Sequence, residues 1–164
     1  MDTQHRLIQD RLAKIDRYEE LGVEPFPRRF ERSHRIAGIR DDEEALVSAE
    51  AAVSLAGRLL SKRRHGKMGF ADLEDQRGRL QLWFRKDVVG EEAYEIFKLM
   101  EVGDVIGVHG TMCRTQKGET SCLVQRLELL TKSLRPLPEK WHGLKDKEAR
   151  YRQRYVDLIM NRRT

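Results

Sequence analysis

Cysteine is nearly absent: Cys113 and Cys122 are the only two in 164 residues, with no CxxC and no histidine pair at metal-ligand spacing. That argues against a disulfide framework or a zinc site and for two free thiols. The four prolines fall in two pairs, Pro25 with Pro27 and Pro136 with Pro138, each marking an extended connector. No run approaches the roughly 18 apolar residues of a membrane span, and the opening "MDTQHRLIQDRLAKIDRYEELG" has no apolar core of signal-peptide length. A cytoplasmic location with no membrane partner is therefore expected. Signatures of catalysis are missing too: there is no GxxxxGK loop, no GxSxG elbow and no HExxH. The five histidines (His5, His34, His65, His109, His142) are scattered, without an obvious carboxylate or metal partner. These residues speak for binding, with no catalytic or metal-ligating set of their own.

What is present is charge. Charged residues make up 36% and hydrophobic ones 39%, which asks for a compact core under a heavily charged surface. The net charge of +5 favours a polyanionic partner, and a merely basic surface fits it equally well. Residues 3–21 read as a helix through Ile8, Leu12, Ile15 and Tyr18, with Asp2 or Thr3 capping the start and Gly22 the end. Arg6, Arg11, Lys14 and Arg17 take the remaining positions, as a solvated face or as phosphate contacts. An acidic stretch over 40–52 reads as a short helix. Between 53 and 130 stand five strand candidates separated by glycine-containing turns, and "GEEAYEIFKLM" interrupts them as a helix with Ala93, Ile96, Phe97 and Met100 on one stripe.

Three strands, a helix and two strands is the order of an oligonucleotide-binding (OB) barrel. The fold expected is mainly β with flanking helices: a five-stranded Greek-key OB barrel, a helix between strands three and four, and an N-terminal helix before it. The boundaries expected are 1–52 for the helical extension, 53–132 for the barrel and 133–164 for a connector and a following helix. That last helix, from Asp146, places Tyr151, Tyr155, Leu158 and Ile159 on one face and is basic through Arg150, Arg152, Arg154, Arg162 and Arg163.

The binding face is legible in "KMGFADLEDQRGRLQLWF", residues 67–84. Alternation puts Ala71, Leu73, Leu80, Leu82 and Phe84 inward, and Phe70, Asp72, Gln81 and Trp83 outward. An outward Phe70 either packs beneath Met68 or the N-terminal helix, or waits for a base to stack on it. Arg58, Lys62, Arg63, Arg64 and Lys67 form an acid-free run beside it, and all but Arg63 are candidates for phosphate contact alone.

Three stretches carry a family resemblance. The run "LRPLPEKWHGL…RYRQRYVDLI", the barrel segments "GRLLSKRRHGKMGFADLEDQRGRLQLWFRKD" and "GDVIGVHGTMCRTQKGETS", and the opening "RLAKIDRYEELGVEPFPRRF" resemble the N-terminal anticodon-binding region of bacterial class II lysyl-tRNA synthetases. The resemblance implies that Phe70 stacks on the central uridine of a U-rich lysine anticodon. It implies that Gln81 and Arg63 hydrogen-bond that uridine and that Glu119 approaches the third anticodon base. Two positions depart from it: Cys113 stands where many members have phenylalanine, and Trp83 where tyrosine is common. The resemblance further implies a homodimeric parent enzyme that joins lysine to tRNA with ATP and magnesium, using a domain C-terminal to the barrel. These 164 residues are then expected to bind the anticodon without charging tRNA and to hold no cofactor themselves. Competing readings are a sequence-tolerant single-strand binder, a scaffold whose barrel face is covered, and the equivalent domain of an aspartyl or asparaginyl enzyme.

Overall fold

The computed structural model describes residues 2–138 and 144–161. The connector stretch 139–143, with His142, and the arginines at 162 and 163 lie outside the described residues. Five strands, β1 (Ala52–His65), β2 (Met68–Glu74), β3 (Arg79–Arg85), β4 (Val105–Arg114) and β5 (Thr120–Thr131), close a barrel in the order β1-β2-β3-β5-β4. β1 is long enough to serve two neighbours: residues 52–58 pair with β4 and 58–65 with β2, with a register shift between Leu59 and Ser61. β3 and β5 close the barrel in parallel over only three residue pairs. The alternation of the sequence is kept strictly, so Ala71, Leu73, Leu80, Leu82 and Phe84 are buried while Phe70, Asp72, Gln81 and Trp83 face outward and are half-buried.

Between β3 and β4 lie α4 (Lys86–Val89) and α5 (Glu91–Leu99), and α5 closes one end of the barrel. Its Phe97 ring stacks on Phe84 at 3.9 Å, and Gly69 of β2 is required there because a Cβ would run into the Phe97 ring. The buried stripe differs from the one expected. Tyr94, Phe97 and Met100 are buried, whereas Ala93 and Ile96 only pack against the core, because Tyr94 turns inward to donate to Gly66 O at 3.1 Å.

The N-terminal helix α1 (Thr3–Glu20) is capped by the Asp2 side chain and seats Tyr18 in the core. Leu12, expected on its packed face, is 38% exposed, and Arg11 takes that place at 8%. The reason is hydrogen bonding. Arg11 donates to Ser133 O and Val102 O, two carbonyls that leave the barrel without strand partners. Lys14 likewise reaches Glu101 at 2.7 Å. Half of the supposed basic face of α1 thus fastens the helix to the barrel.

The acidic stretch is two helices, α2 (Ile36–Asp41) and α3 (Glu43–Ser48), starting four residues earlier than expected. Ile36 and Ile39 drive this by burying against the barrel, and Ile36 N donates to Asp75 Oδ2 at 2.8 Å across the β2–β3 turn. The terminal helix also breaks, into α6 (Lys147–Arg152) and α7 (Arg154–Met160) around Gln153. Val156 and Asp157 are buried while Tyr151, Tyr155 and Leu158 are exposed; of the four residues expected on one face, Tyr155, Leu158 and Ile159 lie together in α7 and Tyr151 in α6. No described helix is long and apolar enough to cross a membrane.

Candidate nucleic-acid interface

Because β1, β2 and β3 are adjacent and in register, their outward side chains form two parallel rows. One row is Arg63, Phe70 and Trp83; the other is Ser61, Asp72 and Gln81. In the first row Phe70 and Trp83 are direct cross-strand neighbours, with ring centroids 6.2 Å apart and planes 8° from parallel. Arg63 lies 5.9 Å from the Phe70 ring centre and Arg85 5.5 Å from that of Trp83. Phe70 is half-buried and lines an open cleft beside Met68, itself 41% exposed. The result is a flat apolar platform edged by guanidinium groups, which suits a planar, electron-rich ring.

A cleft of about 430 Å3 opens over this platform, lined by Arg63, Phe70, Gln81, Trp83 and Glu119, among others. The four residues singled out for base reading are therefore brought together, Glu119 arriving from the β4–β5 turn. Gly118, at φ 82°, makes that turn, and Thr115 N bonds to Glu119 O at 2.9 Å to close it. The cleft volume lies within the range of small-ligand sites. Gln81 and Glu119 also line a second depression of about 380 Å3, whose arginines are Arg40, Arg79 and Arg114. Each is matched by acid: Arg40 with Glu43, Arg79 with Glu74, and Arg114 with Glu43 and Glu44. A hydrogen bond from the Thr120 hydroxyl, helped by Arg40 and Arg114, holds the Glu43 carboxyl below the usual range. This second depression offers donors and acceptors in balance, with little net field.

The other candidate residues divide. Arg64 and Lys67 are exposed at the β1–β2 end, and Arg64 lines the cleft. Arg58 and Lys62 are directed elsewhere. Arg58 donates to Gly103 O at 2.7 Å, and Lys62 Nζ donates to Lys98 O and Met100 O, satisfying carbonyls at the C-terminal end of α5. Lys62 pairs in register with inward-facing Ala71, which alternation along the strand implies once Arg63 faces out. Burial, then the charges of Arg64 and Lys14, push its ammonium down to about 8.

A pH effect follows from that position. Between about pH 8 and the ordinary lysine value near ~10.4, the unfolded chain binds the Lys62 proton and the folded chain has released it. The Lys62 contribution to stability therefore rises with pH across that window. Denaturant midpoints measured through it should climb less steeply in Lys62→Met than in the unaltered protein; equal slopes would remove Lys62 as the cause.

Three groups at the site were not singled out from sequence. Alternation places Asp72 on the outer face, and the structure gives it a partner there, the Ser61 hydroxyl donating to it at 2.7 Å. Ser121 is wholly buried beside Gln81 with no partner for its hydroxyl, and no local pattern distinguishes it from any strand serine. The Trp83 indole N–H is also buried without a partner. Cys113 lies opposite Ser121 on β4, half-buried, and burial pushes its thiol up.

Comparison with known proteins agrees with this geometry. Residues 53–130 match the family described as tRNA anti-codon, OB-fold nucleic acid binding domain. The chain is 55% identical over 152 residues to a lysine–tRNA ligase of Syntrophomonas wolfei, covering 92% of this chain and 30% of that protein. It is 51% identical over 161 residues to the lysine–tRNA ligase of Moorella thermoacetica, covering 98% and 32%. Against the Bacillus subtilis lysine–tRNA ligase the figures are 48%, 94% and 32%. The chain thus spans about a third of the length of the curated relatives it matches. By its barrel topology, its matched residues and this similarity, the chain belongs to the anticodon-binding OB-fold region of the lysine–tRNA ligase family.

Proposed function

We propose that this chain reads the anticodon loop of lysine tRNA, and that the observation carrying the reading is the open Phe70–Trp83 platform with Arg63, Gln81 and Glu119 around one cleft. A stacked base completes the burial of Phe70. Gln81 and Arg63 then meet its Watson–Crick edge, the amide supplying a donor and an acceptor and the guanidinium only donors. Uracil, with two carbonyls flanking an N–H, satisfies both. Glu119 faces the next base from the β4–β5 turn, and Arg64 and Lys67 lie where the backbone enters. The longer protein, on this reading, is a cytoplasmic, homodimeric ligase that activates lysine with ATP and Mg2+. None of the residues assembled here is assigned to that chemistry.

The test is a titration of the chain with a lysine tRNA anticodon stem-loop, beside a second loop changed only at the central uridine, at two salt concentrations. The change should weaken binding by about 1–3 kcal/mol at either salt. Equal binding of both loops, lost equally as salt rises, would mean that affinity is backbone electrostatics and that the barrel is a sequence-tolerant single-strand binder.

A further inference from the structure

An amide is an ambiguous reader of pyrimidines. Toward the ring N3 side uracil presents an acceptor beside a donor, and cytosine a donor beside an acceptor. Turning the end of a glutamine by 180° exchanges its own acceptor and donor, so a freely turning Gln81 would read either base. Which way the amide lies is decided by its neighbours. Among the described residues no hydrogen bond engages the Gln81 side chain directly, yet the two groups flanking it are not equivalent.

On the β2 side, Asp72 stands directly opposite Gln81 and lines the same depression. Its Oδ2 accepts the Ser61 hydroxyl at 2.7 Å, which orients the carboxylate and leaves Oδ1 as a pure acceptor. A carboxylate oxygen attracts the amide nitrogen and repels the amide oxygen. On the β5 side, Ser121 is in parallel register with Gln81, wholly buried, and its hydroxyl has no partner. A buried hydroxyl without an acceptor is unfavourable, and Gln81, its direct neighbour across the seam, carries an amide oxygen that can turn to supply one. Both neighbours favour one orientation: nitrogen toward β2, oxygen toward β5. One N–H and one lone pair of the amide are then left for the ligand, in a fixed order.

We propose that Asp72 and Ser121 are positioning residues that fix the orientation of the Gln81 amide and so make the cleft select uracil over cytosine, an inference that rests on the cleft reading a pyrimidine as above. The row Ser61–Asp72–Gln81–Ser121 is then one device running across three adjoining strands and the barrel seam. Its members other than Gln81 act without touching the base.

The experiment compares two anticodon stem-loops, identical but for U or C at the central position, against the unaltered chain, Asp72→Ala, Ser121→Ala and Gln81→Ala. The unaltered chain should prefer the U loop by about 10-fold or more. Each positioning variant should lower that ratio by at least about 5-fold, mainly through tighter binding of the C loop, with U-loop affinity changed less than about 2-fold. A gain of cytosine binding is the signature, because a merely structural loss weakens both loops together. Ser121→Ala removes a hydroxyl that takes no part in holding the strands together, so it remains informative if Asp72→Ala loosens the hairpin. An unchanged ratio in both variants, or a parallel loss for both loops, overturns the proposal. If Gln81→Ala abolishes discrimination while both variants keep it, the positioning idea alone falls. If the unaltered chain treats the loops alike, the reading of the cleft falls and this inference with it.

Discussion

Phe70→Ala should weaken binding of the lysine anticodon stem-loop by about 1–3 kcal/mol, roughly 5- to 150-fold, with little change in thermal stability. The asymmetry follows from where the ring sits. Phe70 is half-buried on the outside of the barrel and touches no part of the core, so truncating it leaves no cavity. What it loses is one half of a parallel aromatic pair, and Trp83 alone is a narrower platform. Phe70→Tyr and Phe70→Leu separate the contributions: tyrosine should keep most of the affinity, because the face is retained, and leucine little of it. A binding loss matched by a fall in melting temperature would instead assign Phe70 to stability.

The second large effect is expected far from the cleft. Asp104 and Lys132 have wholly buried side chains and meet at 2.8 Å. Asp104 also accepts Ser133 N and Glu101 N, and Lys132 also reaches Glu101. Burial by itself would raise the Glu101 carboxyl, but hydrogen bonds from Lys132 and Lys14 outweigh it and hold the group below its usual value. Asp104→Ala deprives a buried ammonium of one of its three partners and leaves two amides without acceptors, which should cost about 3–5 kcal/mol of unfolding free energy. Lys132→Met should be comparably harmful, and the double variant Asp104→Leu with Lys132→Met should recover much of the loss, since it leaves no unpaired charge. Urea denaturation measures all three. A loss under about 1 kcal/mol for either single variant would show that water reaches the pair.

The two sites differ in how far they could be read from sequence. The barrel was legible because β2 and β3 keep a strict period of two, so their inward and outward sets separate without any knowledge of the partners. The platform was legible for the same reason, since Phe70 and Trp83 stand out as aromatics on a polar face. Long-range polar pairing leaves no such period. A helix pattern treats every arginine alike and leaves Arg11 as solvated or phosphate-binding; only the carbonyls of Val102 and Ser133 distinguish it. Lys62 was grouped with a basic run although its neighbour in the strand must face the other way. Ser121 could be found only once β5 was known to lie parallel beside β3.

The barrel seam has a consequence of its own. β3 and β5 are strand-paired through only Gln81 with Ser121, Leu82 with Cys122 and Trp83 with Leu123. The groups that a bound strand would touch stand on both sides of that join: Phe70, Gln81 and Trp83 on one hairpin, Glu119 on the other. A ligand lying across them is a clasp over the shortest closure in the molecule. On the proposed reading, recognition and barrel integrity are linked: a strand bound there would stabilise the closed barrel, and the more so the more tightly it binds.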